Sequence, residues 1–192
     1  MGKIVISENV SLDGVVRDPT GDEGFTRGGW FLEVGDRDRE EWTKVELDEA
    51  LRAEGLLLGR HSDHFFGSRW SSRSGSFADR LNSLPKYVVS STLKNPVWNN
   101  STILDGDVVH AVSELKAKLD GEILVYASRR LVHTLIEHDL ADELRLMVYP
   151  VVLGDGDRLF AATSDKKPVR LLDARTVGDS LAYLTYEFVR VP

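Results

Sequence analysis

The stretch Glu122–Phe160 reads EILVYASRRLVHTLIEHDLADELRLMVYPVVLGDGDRLF. It opens on an apolar run, Ile123 to Tyr126, of the length of a buried strand. Ser128 follows and can cap a helix. Leu131, Val132, Leu135 and Ile136 recur at helical spacing, Asp139 to Asp142 break the pattern, and Leu144 to Tyr149 form a second β-rich run ending at Pro150. Strand, turn, helix, loop and strand in under forty residues is a crossover unit joining parallel strands. Open α/β sheets bind ligands in the crevice at the carboxyl end of such strands. Here that end carries Ala127, Ser128, Arg129, Arg130 and Leu131. Free helix N–H groups beside two guanidinium groups suit a phosphate.

DELRLMVYPVVLGDGDRLF also resembles the C-terminal signature of the dihydrofolate-reductase-like superfamily. It is most similar to the riboflavin-biosynthesis reductase domain family and its single-domain relatives. The pattern is Leu-x-Asp-Glu-Leu, then Pro-Val-Val-Leu-Gly, then Gly-x-x-Leu-Phe, in order. That family usually has Gly-Gly or Gly-Ser at the strand-to-helix turn; this chain has Ala127-Ser128. A methyl group there limits how closely backbone can approach a phosphate.

Working outward, the 192 residues suit one domain, residues 1–192, with ample length for a core. The hydrophobic fraction is 42% and the charged fraction 29%, ordinary for a globular protein. A net charge of −7 argues against nucleic acid or an acidic membrane as partner. There are no cysteines, hence no disulfides and no thiolate chemistry. The start, MGKIVISENV, lacks the core of a signal peptide, and no apolar run approaches the ~20 residues of a membrane helix. A cytoplasmic location is expected.

The N-terminal segment Lys3–Val10 reads as a strand, followed by Ser11-Leu12-Asp13-Gly14. On spacing alone this is a strand-ending turn. In the reductases that the chain resembles, SLDG enters the active site, which implies that Asn9, Asp13, Gly14 and Val16 line the reacting centre. Asp13 is then the candidate catalytic residue, Val16 lies beside the cofactor and Asn9 beside the substrate. Arg17–Gly35 is long, and its Phe25, Trp30 and Phe31 suggest a mobile flap over the pocket, with Trp30 and Phe31 against substrate or a partner subunit. The alternative is that these rings pin the loop to the core.

Asp36–Glu54 has helical spacing, with Trp42, Val45, Leu47, Ala50 and Leu51 on an apolar face. Dihydrofolate reductases carry a substrate-binding carboxylate on the corresponding helix. Glu41, Glu46 and Glu49 are its candidates here, and a solvated charged face is the plainer expectation for them. Gly55–Arg60 is a buried strand leading into Gly59, Arg60, His61 and Ser62, similar to the family's Leu-Gly-Arg-x-Thr, which implies a pyrophosphate-binding helix start. His61 and His64 lack a third ligand at metal-site spacing, so no metal is expected. Lys86–Ser90 is a strand ending in Ser90, Ser91 and Thr92, where the resemblance places the 2′-phosphate of the adenosine. Asp107 caps a helix ended by Gly121. Val169–Val177 and Leu181–Val189 form an antiparallel hairpin around Gly178-Asp179-Ser180.

Together these elements give an α/β chain, and the resemblance implies the dihydrofolate-reductase-like three-layer α/β/α fold. Its central sheet would be mixed and mostly parallel, with the antiparallel hairpin at the C-terminus. No Gly-x-Gly-x-x-Gly follows the first strand, so this is not a Rossmann domain. The implied function is hydride transfer from NADPH to a small heterocycle, a 5-amino-6-(5-phosphoribosylamino)uracil-type or pterin-like substrate, in a homodimer. Dihydrofolate reduction proper, and a non-catalytic nucleotide-binding module with the same fold, are the alternatives.

Overall fold

Strands and helices alternate along the chain as the sequence patterns dictate, and the strands assemble into one sheet. The computed structural model describes residues 1–190. Eight strands are present: β1 (Lys3–Ser11), β2 (Ala53–Gly59), β3 (Lys86–Val89), β4 (Ser101–Leu104), β5 (Glu122–Tyr126), β6 (Glu143–Tyr149), β7 (Val169–Val177) and β8 (Leu181–Phe188). The helices are α1 (Asp36–Arg52), α2 (Arg60–Trp70), α3 (Ser76–Ser83), α4 (Val108–Lys118) and α5 (Arg129–Glu137). The strand order is β4-β3-β2-β5-β1-β6-β8-β7, and β8 alone runs against the rest.

Ile4, Val5 and Ile6 are all fully buried, because β1 lies mid-sheet with helices on both faces. Ile4 and Ile6 join Val132, Leu135 and Ile136 of α5 in one core. Val5 joins Leu56, Leu58 and Ala50 in the other, beneath α1 and α3. A third cluster, around Trp30, Tyr149, Leu181 and Tyr183, lies under the hairpin end of the sheet.

Two local expectations are corrected. The α4 helix ends at Leu119 in extended backbone, two residues before Gly121, which therefore caps nothing. The mobile flap is also not what the loop builds. The Asp18 carboxylate accepts the N–H groups of Glu23 and Phe25, Arg27 donates to the Leu153 carbonyl, and Arg69 pairs with Asp22. Trp30 is 1% exposed, edge-on to Tyr149 at 5.2 Å, with its indole N–H on the Arg17 carbonyl. Trp30 pins this loop to the core.

The hairpin turn is fastened to α1. Asp38 accepts the N–H groups of Asp179 and Ser180 and the Ser180 hydroxyl, with Gly178 at φ 65 packed against it. A Cβ on Gly178 would come within 2.3 Å of Asp38, so only glycine fits. Among the described residues, no helix is long and apolar enough to cross a membrane.

Candidate functional site

The crevice follows from topology. β1 pairs with β5 only from Lys3 opposite Glu122 to Ser7 opposite Tyr126, yet with β6 as far as Ser11 opposite Tyr149. Beyond Ser7 one side of β1 loses its neighbour. The chain leaves β1 towards β2 on one side, while α5 carries β5 across to β6 on the other. This is the switch point at which doubly wound sheets open a crevice. A cavity of about 1000 Å³ lies there.

One wall is built from two helix starts. Gly59 and Ser128 precede α2 and α5, and neither helix has a side-chain cap. Ser128 was expected to cap α5. Instead its hydroxyl accepts the Gly59 N–H at 3.0 Å and donates to Ser62 at 2.8 Å, tying the two turns together. The first N–H groups of each helix, from Arg60 to Ser62 and from Arg129 to Leu131, have no intrahelical acceptor. The Gly59 N–H, by contrast, is already used. Ala127 and Ser128 sit at φ 50 and φ 60, the left-handed region that glycine enters freely. The Ala-Ser pair thus holds a backbone conformation suited to glycine, at a strain of order 1 kcal/mol or more per residue. The Arg60 guanidinium donates to the Thr92 hydroxyl at 3.0 Å, and Arg129 pairs with Asp157.

Of the residues singled out in the sequence, Asn9, Val16, Phe31, Gly59, Arg60, His61, Ser62, Ala127, Ser128, Arg129, Arg130 and Leu131 all line this cavity. Ser90, Ser91 and Thr92 lie outside it. Ser90 Oγ closes its own turn by accepting the N–H groups of Thr92 and Leu93, and only Thr92 reaches the site, through Arg60. Trp30 belongs to the core.

Asp13 does not line the cavity, and its carboxylate is engaged in the fold. Its carboxylate accepts the N–H groups of Leu153 and Gly154 at 3.0 and 2.8 Å and the Ser11 hydroxyl at 2.7 Å. The Leu153 N–H, then Ser11 and Gly154, hold its pKa down at about 2. It clasps the β1 turn to the loop after β6. A carboxylate with a lowered folded pKa stabilises above its unfolded value, near 4, and loses that contribution as pH falls towards 2. Asn has one carbonyl oxygen and would turn its NH₂ against a second N–H donor. Asp13→Asn should therefore destabilise by about 1–3 kcal/mol. Urea denaturation checks this, together with cofactor affinity, which is expected to stay unchanged in the folded variant.

The opposite wall carries groups that the apolar pattern hid. Glu46 is 6% exposed and Glu49 0%, whereas Leu51, read as inward, is 59% exposed. The buried stripe of α1 runs Trp42, Glu46, Glu49, Ala50, at i, i+4, i+7 and i+8. Glu41 does stay near solvent, paired with Lys44. Glu46 faces the cavity, as do Glu8 of β1 and Tyr126 of β5. Burial, and then the charge of Glu49, push the Glu46 carboxyl well above the carboxylate range. Burial, and then Glu46, do the same to Glu8. Glu49 is raised by burial despite the Tyr183 hydroxyl and Arg145. The Trp42 indole N–H donates to Asn9 at 2.8 Å. Half-buried Phe31, Phe66, Trp70 and Phe77 complete an aromatic side whose neighbouring rings meet edge to face. No cluster of three metal-ligating side chains occurs among the described residues.

Solved structures share this architecture. A candidate riboflavin biosynthesis protein from Shewanella sp. PV-4 superposes with a TM-score of 0.78 at 24% identity, over 98% of this chain and 99% of that one. A diaminohydroxyphosphoribosylaminopyrimidine deaminase/5-amino-6-(5-phosphoribosylamino)uracil reductase from Thermotoga maritima gives 0.63 at 14%, over 98% of this chain and 57% of that one. Dihydrofolate reductase from Enterococcus faecalis, in complex with NADP(H), gives 0.58 at 14%, over 97% and 96%. The fold is therefore dihydrofolate-reductase-like, with the mixed three-layer α/β/α sheet the sequence implied. The sequence itself matches the RibD C-terminal domain from residue 2 to residue 183, through both helix starts and the SLDG turn, and the chain belongs to that family.

Proposed function

We propose that this chain is an NADPH-dependent reductase of a small heterocyclic substrate. One observation carries the reading. A single cavity at the sheet's switch point has two uncapped helix starts with Arg60, Arg129 and Arg130 at one end, and the buried acid Glu46 at the other.

These residues fit the cofactor. The two helix starts supply N–H groups for a pyrophosphate, and their positive ends favour its charge. Arg60, held by Thr92, offers a fork to a 2′-phosphate. Bound NADPH supplies the hydride. The protein's own task is to orient the substrate ring and to manage a proton. Phe31, Trp42 and Phe77 line the space for a planar ring, and Glu46 offers a carboxyl whose burial favours the form that carries a proton.

The family and the Thermotoga relative's activity support a riboflavin-pathway aminopyrimidine as substrate. A pterin is the second reading, and Glu46 itself favours it. Glu46 lies on α1, the helix where the resemblance places the carboxylate of dihydrofolate reductases.

Calorimetric titration with NADPH tests the cofactor half. Micromolar binding to the wild type is expected. Arg60→Ala should weaken it by about 1.5–3 kcal/mol, the worth of a charge-assisted bond. A wild-type protein that ignores NADPH at millimolar concentration sinks the reading.

A further inference from the structure

Tyr126 ends β5 at the floor of the cavity, directly opposite Ser7. Its phenol oxygen is buried and makes no hydrogen bond. A buried hydroxyl without a partner is uncommon and asks for a reason. The hydroxyl lies beside the Glu46 carboxyl, close enough to favour its ionised form, but not in a well-formed hydrogen bond. Arg145 Nη1 is a second unbonded buried donor in the same pocket of charge. A neutral carboxyl asks little of such donors. A carboxylate needs them, because an ionised group in a dry site is stable only when hydrogen-bonded.

We propose that Tyr126 is a positioning residue for Glu46: its unbonded hydroxyl is the donor held ready for the carboxylate that Glu46 becomes when it passes its proton to the substrate. This rests on the reductase reading. In that step the hydride from NADPH adds to the carbon of a C=N or C=O bond. The Glu46 O–H bond breaks, and its proton goes to the nitrogen or oxygen. NADP⁺ and the Glu46 carboxylate remain, and water returns the proton. Tyr126 turns its O–H onto the carboxylate and holds it until then. The other charged or titratable groups facing Glu46 are Glu8 from β1, Glu49 from α1, and Arg145 and Tyr149 from β6. Glu8 and Glu49 oppose ionisation, so the donors on β5 and β6 carry the stabilisation.

The test needs no substrate. Infrared difference spectra across pH report the C=O stretch of a protonated buried carboxyl, and Glu46→Gln identifies the band by removing it. In Tyr126→Phe the donor is gone, so the band should persist to a pH about one unit or more higher than in the wild type. Substituting 3-fluorotyrosine at position 126 keeps the shape and makes the phenol a stronger donor, so the band should vanish at lower pH. This second arm stands even if the Phe variant folds poorly. A packing role for the ring would move neither titration. Identical titration in all three proteins overturns the assignment, as does a wild-type band that never titrates while the protein stays folded. The reductase reading fails separately, if the wild-type protein ignores NADPH at millimolar concentration.

Discussion

Arg145→Ala is expected to unfold the protein well below the wild-type melting temperature. Arg145 is 5% exposed and sits on β6 among three carboxylates. Its Nε donates to Glu143 at 2.6 Å, one Nη donates to Glu122 at 2.9 Å, and the other lies 3.7 Å from Glu49. Lys3 reaches Glu143 from the far side. Truncation would leave Glu49 buried without its nearest cation and Glu143 with Lys3 alone. Breaking a buried ion network in this way costs about 3–5 kcal/mol. For a chain of this length that corresponds to a fall of roughly 10 °C or more. Lysine at 145 should recover little, since a single ammonium cannot reach three acids that a guanidinium fork spans.

The pH dependence separates this from a simple cavity. Burial raises the Glu143 pKa, but hydrogen bonds from Lys3 and Arg145 outweigh it, and the net shift is downward. Glu143 therefore stabilises the wild type above its unfolded pKa near 4, and the contribution is lost on acidification. In Arg145→Ala that contribution shrinks, so the gap between variant and wild type should narrow towards pH 3. Thermal melts at pH 7 and pH 3 measure both quantities. A drop of only a degree or two at pH 7 would mean that the network is solvated and the burial wrong.

This network explains what the sequence conceals. The strand–helix order, the hairpin and the two turns that line the cavity were legible, because apolar periodicity and Gly, Ser and Asp at element ends are local signals. The stripe Trp42, Glu46, Glu49, Ala50 was not. Two glutamates on a charged helix look solvated unless their partner is known, and Arg145 lies about a hundred residues further along. Arg145 alternates with Leu144 and Leu146, which by itself reads as a solvent-facing position. Only the sheet order sets β6 beside β1 under α1 and so brings the three together. The bonds of Asp13 were hidden for a similar reason. Its motif was recognised, but its hydrogen-bond donors are the N–H groups of Leu153 and Gly154, outside any local window.

Glu46→Gln is expected to leave NADPH affinity intact and to abolish most turnover. Gln keeps the volume and a carbonyl oxygen, so the cavity wall stands. It has no proton to give and cannot become an anion. Removing a general acid typically costs 10²–10⁴-fold, and that range is expected in kcat/KM for whichever aminopyrimidine or dihydropterin the wild type reduces. Stability should move the other way. An acid whose folded pKa is raised costs stability once pH passes its unfolded value, near 4.3, and the cost grows until the folded pKa is reached. Glu46 is such a group, through burial and the charge of Glu49. Its replacement should therefore raise the melting temperature at pH 7 and leave it nearly unchanged at pH 4. NADPH-oxidation kinetics and melts at the two pH values are sufficient. A variant that keeps kcat/KM within about threefold removes Glu46 from the chemistry. A melting temperature that falls at pH 7 would show instead that Glu46 is ionised and bonded in the resting protein.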